Sequence, residues 1–524
     1  MRDDHDILIL GGGLAGLTLA LQLKLRRPGL DVAVIERSRF PVPVAAHKVG
    51  ESTVEIGAHY FAKVLGLERH LEEKQLLKFG LRFFFGGPSP GMDLAGYDEI
   101  GPSELLPVRS YQLDRGLFEN HLAERARVLG VELVDGSGVQ QVELSDSGGT
   151  HCAVIRTDAG ARSVRAGWIV DATGRRGVIK HELGLERATA HRNCAVWLRT
   201  AESIDIGTWS EAEDWQARCG NWPRRLSTNH LMGPGYWVWF IPLGSGATSV
   251  GLVFDPALLS LARVAKLEGL LGWLDEHQPL AAAAVRARRD SIMDFRFLRG
   301  YPHGCRQVFS AHRWALTGEA GVFSDPFYSP GSDFIGIGNT LIVDLILGGA
   351  SGLSARAHFF QQLYFSFFSS TLSLFTNQYP GFGDRDLMSL KSVWDYAYYW
   401  AVLAKLFFEQ RLTDVAFLQS AEKDLLLALR LNREMQKSFE TAAAHRRCLP
   451  AEGHFVDHCA VPWFYELKQQ LVNDSGTSPG ARLQDNVARL DRLAGSLRGL
   501  LAASFDGRLL PPASRIGSVE AGAA

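Results

Sequence analysis

Three groups of residues have the types and spacing to do chemistry. The first is Gly11, Gly13 and Gly16, in Gly-x-Gly-x-x-Gly spacing, with an acid, Glu36, about 20 residues further on. Gly11 permits a tight turn, Gly13 lets the backbone approach a pyrophosphate, and Gly16 lets a helix pack closely on a strand. Leu14 and Ala15 complete the loop, and the free N–H groups at the N-terminus of the helix that follows face the phosphates. Glu36, followed by Arg37, suits the hydroxyls of an adenosine ribose and argues against a 2′-phosphate. The second group is Trp237-Val238-Trp239-Phe240-Ile241-Pro242. A period of two puts both indoles on one face of a strand, and Pro242, with no N–H, ends it. The third is Phe323, Pro326, Ser329 and Gly331. There Pro330 and Gly331 free the backbone for close approach, and Ser332 adds a hydroxyl and an N–H. Exposed N–H groups in such a turn form an anion nest.

The elements that must position these groups follow from the apolar pattern. Asp6–Leu10 reads as a buried parallel strand, Leu17 to Leu25 as a helix, and Val32–Ile35 as a second strand ending at Glu36. A strand pair is expected around Leu81–Gly87 and Ser110–Leu113, then a helix near Gly116–Leu129 and strands near Val131–Val134 and Val139–Leu144. Trp168-Ile169-Val170 is a further apolar strand, ending in the turn Asp171-Ala172-Thr173-Gly174. Residues 190–300 alternate like an antiparallel sheet, and the nucleotide domain returns at Arg313–Glu319. From about 340 the pattern is helical to about 504, and the tail from Phe505 is rich in Pro, Gly, Ser and Ala and reads as poorly ordered.

Bulk properties exclude several classes. With 524 residues the chain can bury a large core. A formal charge of −2 and a pI near 6.8 offer no basic face for nucleic acid. The charged first residues lead directly into a strand, which predicts no signal peptide. No apolar run reaches the roughly 18 residues of a membrane span; residues 359–375 come closest and are broken by Gln361 and Gln362. The six cysteines are scattered and read as reduced, in the cytoplasm. His454, His458 and Cys459 have metal-like spacing but no fourth ligand nearby, so no metal is expected.

The Trp-x-Trp-x-Ile-Pro strand beside a dinucleotide loop resembles the signature of flavin-dependent halogenases, the tryptophan-halogenase-like members of the FAD-dependent aromatic hydroxylase superfamily. The resemblance covers roughly residues 5–345. It implies an α/β fold: a Rossmann-type FAD-binding domain over 1–345, interleaved with antiparallel sheet segments at about 81–110 and 186–305. A helical C-terminal region follows over 346–504, and residues 505–524 form a disordered tail. Gly318-Glu319 looks like the family's second flavin motif, with Glu319 where Asp is usual. Asp114-Arg115 resembles the pair that holds the flavin, and Asp171-Ala172-Thr173-Gly174 matches the family's Asp-Ala-Thr-Gly turn. Pro326 and Gly331 fall in the second halogenase signature, which places the halide at Ser332 and Asp333.

Lys48-Val49-Gly50-Glu51-Ser52-Thr53 resembles a segment near flavin and halide, and Lys78-Phe79-Gly80 matches the family's Lys-x-Gly. That lysine is the family's essential residue. Reduced FAD, supplied by a separate flavin reductase, reacts with O2 and oxidises chloride or bromide to hypohalous acid. The lysine holds this acid by hydrogen bonding or captures it as a haloamine, which needs a sequestered, mostly apolar pocket. Lys74, beside Glu72 and Glu73, reads as solvated. Trp237 and Trp239 then act as a steric barrier between flavin and substrate. Tryptophan halogenases carry a glutamate just after the Ser-Pro segment; here Asp333 is displaced from that position. An electron-rich aryl substrate, phenolic or similar, free or carrier-bound, therefore fits better than tryptophan. The alternatives are a single-component FAD-dependent aromatic monooxygenase and a flavin-binding protein without turnover.

Overall fold

The computed structural model describes residues 2–44, 49–89, 91–446, 448–473 and 478–504. Lys48 and the tail from Phe505 lie outside the described residues. The chain divides into two units, each built from three stretches of sequence. The first comprises Met1–Lys74, Leu113–Ala190 and Pro302–Ser369, and the second Gln75–Gln112, His191–Tyr301 and Ser370–Ala524.

In the first unit, Asp4–Leu10 pairs in parallel with Val32–Ile35 on one side and with Gly160–Asp171 on the other. Trp314–Leu316 adds in parallel to the end of Gly160–Asp171. Ile7–Leu10 and Val32–Ile35 are buried throughout, as strands covered on both faces require. The registers align Leu10 with both Ile35 and Asp171, and Asp171 with Leu316. The carboxyl ends therefore stop together, and the turns that follow them gather at one edge of the sheet. This is where an open α/β sheet binds its ligand. His151–Thr157 and Gly138–Glu143 extend the sheet in antiparallel fashion.

The second unit is built on an eight-stranded sheet. Its order runs Ile292–Leu298, Cys194–Thr200, Thr248–Phe254, Tyr236–Pro242, Thr228–Gly233, Leu81–Phe85, Asp98–Gly101, Phe455–Asp457. Leu231, Val238, Phe240, Leu252 and Phe254 join one core with Trp273 and Leu274. By alternation, His230, Trp237 and Trp239 face the other way. Pro242 is the last residue of its strand, as its missing N–H requires.

Two sequence expectations change here. Leu81–Phe85 does not pair with residues near 110. It pairs with Asp98–Gly101 and with Thr228–Gly233, while Tyr111–Gln112 pairs with Leu76–Leu77. A strand buried along its whole length needs neighbours on both sides, which the dipeptide Tyr111–Gln112 cannot supply. The stretch after 346 is also not helical throughout. Phe455–Asp457 adds in parallel to Asp98–Gly101, and three residues are too few to show a period in sequence. The first part of the helix Leu353–Ser373 groups with the first unit, and the helices Arg385–Tyr398, Glu422–His445 and Pro479–Ser504 with the second. Among the described residues no helix is long and apolar enough to cross a membrane.

Candidate active site

In the first unit the glycines of the opening loop do three different jobs. Gly11 sits at φ +105°, and a Cβ there would collide with the Ala172 carbonyl; a Cβ on Gly16 would collide with the Gly11 carbonyl. A Cβ on Gly13 would meet nothing within 4 Å. The turn and the helix–strand contact thus require Gly11 and Gly16, and Gly13 leaves open space at the start of the helix Leu14–Arg26. No side chain caps that helix start, and its first turn carries no acid. Its N–H groups and positive dipole end are left for an anion, which fits a pyrophosphate. Leu14 is buried, and Ala15 lies against the second glycine motif: a Cβ on Gly318, at φ +60°, would stand 2.9 Å from Ala15 Cβ. Glu36 accepts the Gly12 N–H at 2.7 Å and the Ser38 N–H at 2.8 Å, and Arg37 is exposed. The acid is fixed at the end of its strand, where a ribose would lie. These residues fit an FAD.

The remaining flavin-motif residues hold the loops. Asp171 is fully buried. Its Oδ1 accepts from the Thr173 N–H at 2.9 Å and hydroxyl at 2.6 Å, and its Oδ2 from the Ile179 N–H at 2.8 Å. Burial pushes its carboxyl up, and these donors oppose that. Its own turn uses both oxygens, so Asp171 shapes the loop. Glu319 is partly exposed, 3.6 Å from Arg175, and its carbonyl lies 2.9 Å from His303 Nε2. Arg115 pairs with Glu119 and donates to the Val49 carbonyl at 2.8 Å, clasping the Val49-Gly50 strap.

The Phe323–Gly331 turn leads into the helix Gly331–Leu347. Phe327 N–H is bound by Asp325 Oδ1 at 2.9 Å, Pro326 is half-buried, and Ser329 takes φ +58°. A Cβ on Gly331 would stand 3.8 Å from Phe323, an ordinary contact. Asp333 Oδ1 accepts the Gly57 N–H at 2.8 Å, so its carboxylate caps the helix Glu55–His59. Ser332 Oγ is buried with no hydrogen bond among the described residues. Of the two expected halide residues, one is committed to holding a helix and the other has a spare hydroxyl.

In the second unit, Lys78 is 2 % exposed. Its N–H donates to the Ser110 carbonyl at 2.9 Å, and Gly80 turns the chain at φ +69°. Lys74 ends the helix Glu68–Lys74 and is exposed. Trp237 and Trp239 are 2 % and 5 % exposed, with ring centroids 5.7 Å apart. Trp237 Nε1 donates to the Tyr379 hydroxyl at 2.9 Å and Trp239 Nε1 to the Ser249 hydroxyl at 3.1 Å. Trp239 covers its cross-strand partner Gly251, where any Cβ would collide with the indole. The two rings are thereby locked in place.

The FAD binding domain family matches residues 4–221. The flavin-dependent halogenase chlA of Dictyostelium discoideum is 26% identical over 434 residues, spanning 76% of this chain and 70% of that protein. A 1H-pyrrole-2-carbonyl-[peptidyl-carrier protein] chlorinase of Pseudomonas fluorescens is 26% identical over 346 residues, covering 63% of this chain and 72% of its own. The chain is a flavoprotein related to flavin-dependent halogenases. Its fold is also that of the crystal structure of halogenase PltM, with a TM-score of 0.65 at 18% identity over 98% of this chain and 99% of that one.

The flavoprotein carries further residues that the sequence did not single out. Asn339 Nδ2 donates to the Ala15 carbonyl, the Thr18 hydroxyl and the Tyr60 hydroxyl, each at 3.1 Å, and its Oδ1 accepts from the Thr317 hydroxyl at 2.6 Å. It ties the opening loop to the second flavin motif. The available signal was a polar amide inside the apolar run Ile335–Ile346. His230 is fully buried, 5.3 Å from Phe83 and 4.9 Å from Trp237 between ring centroids. Burial, then the charge of Lys78, hold its imidazole well below the usual histidine range. Its signal was the strand period that puts it on the indole face. His454 faces Asp98 and Arg385, while His458 faces Ser392, and among the described residues no group of three or more ligands could hold a metal.

Proposed function

We propose that this flavoprotein is a two-component halogenase. In this reading it takes reduced FAD from a separate flavin reductase and uses O2 and bromide or chloride to halogenate an electron-rich aromatic, phenolic or similar. The observation that carries the reading is Lys78: a lysine buried to 2 %, on a glycine turn, in the unit whose sheet presents two locked indoles. Gly11, Gly13, Leu14, Ala15, Gly16, Glu36 and Arg115 would hold the cofactor, with Asp171, Gly318, Glu319, Pro326 and Gly331 shaping its loops. When bound and reduced, FAD would supply two of the electrons that reduce O2, the halide giving up the other two as it is oxidised.

The chain's own residues do the rest. The N–H groups at the start of Gly331–Leu347, with the Ser332 hydroxyl, offer donors to a halide, and the helix dipole favours an anion there. Asp333 keeps that helix end in place through Gly57. Lys78 donates a hydrogen bond to hypohalous acid, or captures the halogen on nitrogen, and presents it to the substrate carbon. His230 stays neutral and adds no second charge beside it. Trp237 and Trp239 would serve as a barrier to an organic substrate by bulk. The phenol or pyrrole ring supplies its own activation, which suits a site without the glutamate of tryptophan halogenases. The carrier-protein chlorinase among the relatives supports a carrier-bound substrate, the free aromatic being the other form this reading allows. The cysteines Cys152, Cys194, Cys219, Cys305, Cys448 and Cys459 are all free, which suits the cytoplasm.

The test is product mass after incubation with reductase, FAD, bromide and a panel of phenols, free and carrier-bound. Halogenated product that disappears in halide-free buffer supports the reading. Oxygenated product formed equally well without halide moves the assignment to a monooxygenase.

A further inference from the structure

In the first unit the second flavin motif and the Phe323–Gly331 turn follow each other closely, and one residue upstream holds both. The motif Gly318–Ala320 comes after the strand Trp314–Leu316 as a single tight turn. The Gly318 carbonyl accepts the N–H groups of Gly321 and Val322 at 3.0 and 3.3 Å. Lys180 Nζ donates to the Gly321 carbonyl at 3.2 Å. The Glu319 carbonyl is met by a ring, His303 Nε2 at 2.9 Å. A carbonyl only accepts, so Nε2 carries the proton and donates. His303 also pairs with Phe323 through its backbone. Its N–H donates to the Phe323 carbonyl at 3.0 Å, and its carbonyl accepts the Phe323 N–H at 2.9 Å.

Three hydrogen bonds from His303 thus tie Glu319 to Phe323. Beyond that point the turn holds its own shape. Asp325 Oδ1 accepts the Phe327 N–H at 2.9 Å, the Pro326 carbonyl the Ser329 N–H at 2.9 Å, and the Pro330 carbonyl the Phe334 N–H at 3.1 Å. These bonds fix the form of the turn and leave its aim to the segment before it, Glu319–Phe323, which His303 braces. The brace is itself anchored, since Gly304 and Cys305 pair with Arg187 and Glu186. A binding turn is only as precise as the contacts that hold it in place. The backbone pair with Phe323 survives a change of side chain at 303, whereas the bond to the Glu319 carbonyl depends on the imidazole.

We propose that His303 is a positioning residue for halide binding: its Nε2–H fixes the Glu319 carbonyl and so aims the Phe323–Gly331 turn relative to the second flavin motif. The inference rests on the reading of that turn as the halide site. His303 acts through Glu319 and Phe323 and does not itself touch the halide.

The probe is bromide, titrated into the FAD-loaded protein and followed by flavin fluorescence. FAD affinity, the unfolding midpoint, and the bromide KM and kcat of halogenation are measured beside it. His303→Leu should weaken bromide binding and raise its KM about fivefold, the scale of one neutral hydrogen bond. It should keep kcat at saturating bromide, and keep the FAD affinity that the Gly11–Gly16 loop governs. His303→Gln, whose Nε2 also donates, should restore bromide binding. His303→Asn is too short to reach the carbonyl; it should behave as His303→Leu and takes its place if that variant does not fold. Undiminished bromide affinity in the folded His303→Leu or His303→Asn, no rescue by His303→Gln, or a parallel loss of FAD affinity would each overturn the proposal and leave the halide reading standing. No bromide binding by the unaltered protein would instead overturn the halide reading, and the proposal with it.

Discussion

Lys74 and Lys78 are one helical turn apart in sequence and opposite in surroundings. Lys74 lies exposed at a helix end, and Lys78 is buried behind a glycine turn. If Lys78 relays the halogen, Lys78→Ala should still bind FAD and consume O2 while yielding no halogenated product, and Lys74→Ala should match the parent. Lys78→Arg should also fail, because a guanidinium stays charged and cannot form an amine adduct. Product mass and oxygen uptake, measured together, separate these outcomes. Wild-type halogenation by Lys78→Ala would end the assignment. Gly13 gives a second test at this scale. Its Cβ position is open in the protein itself, so Gly13→Val should fold normally by circular dichroism yet lose FAD binding in a flavin fluorescence titration. Retained affinity would mean that the open space is not where the pyrophosphate runs.

The Gly57–Asp333 hydrogen bond and the missing Cβ of Gly57 both lie where the helices Glu55–His59 and Gly331–Leu347 meet. Asp333→Ala removes the cap on the Gly57 N–H and should lower stability by about 1 kcal/mol. At Gly57 a Cβ would collide with Ser332 Oγ, so Gly57→Ala should cost roughly 1–3 kcal/mol by overpacking. Denaturant midpoints check both, and parent-like values for both would dissolve the contact. This pair also marks where sequence reading stops. The glycine loop was legible because strand, turn, helix and acid fall within 36 residues and each has a local reason. The indole face was legible because a strand has a period of two. Asp333 reads locally as part of an anion turn, and only folding brings Gly57 to it across 276 positions. The same limit hid Asn339, whose partners Ala15, Thr18, Tyr60 and Thr317 are scattered along the chain. The pairing of Leu81–Phe85 was misread because sequence proximity favoured residues near 110. Complete burial of that strand demanded Thr228–Gly233 instead.

Across the whole molecule, half-buried and buried histidines contribute to the response to acid. Burial, ahead of neighbouring charge, takes His59 and His70 to about 4 and His458 to about 3, from an ordinary 6.5. Each is neutral when folded, whereas the unfolded chain takes up a proton below pH 6.5. The stability they contribute is therefore complete above pH 6.5 and is lost as pH falls toward 4, and for His458 toward 3. Denaturant midpoints should drop between about pH 7 and 5, and His458→Gln should flatten part of that slope. A midpoint independent of pH would contradict this account. The strand Phe455–Asp457 carries a different consequence. It covers the edge Asp98–Gly101, which belongs to the first fifth of the chain, whereas its partner belongs to the last. A ribosome therefore delivers an open, apolar-flanked sheet edge long before it delivers the cover. Throughout that interval the nascent chain is a template for pairing with its neighbours. Soluble yield in a cell should then respond to translation speed, temperature and chaperone supply as well as to the stability of the finished fold.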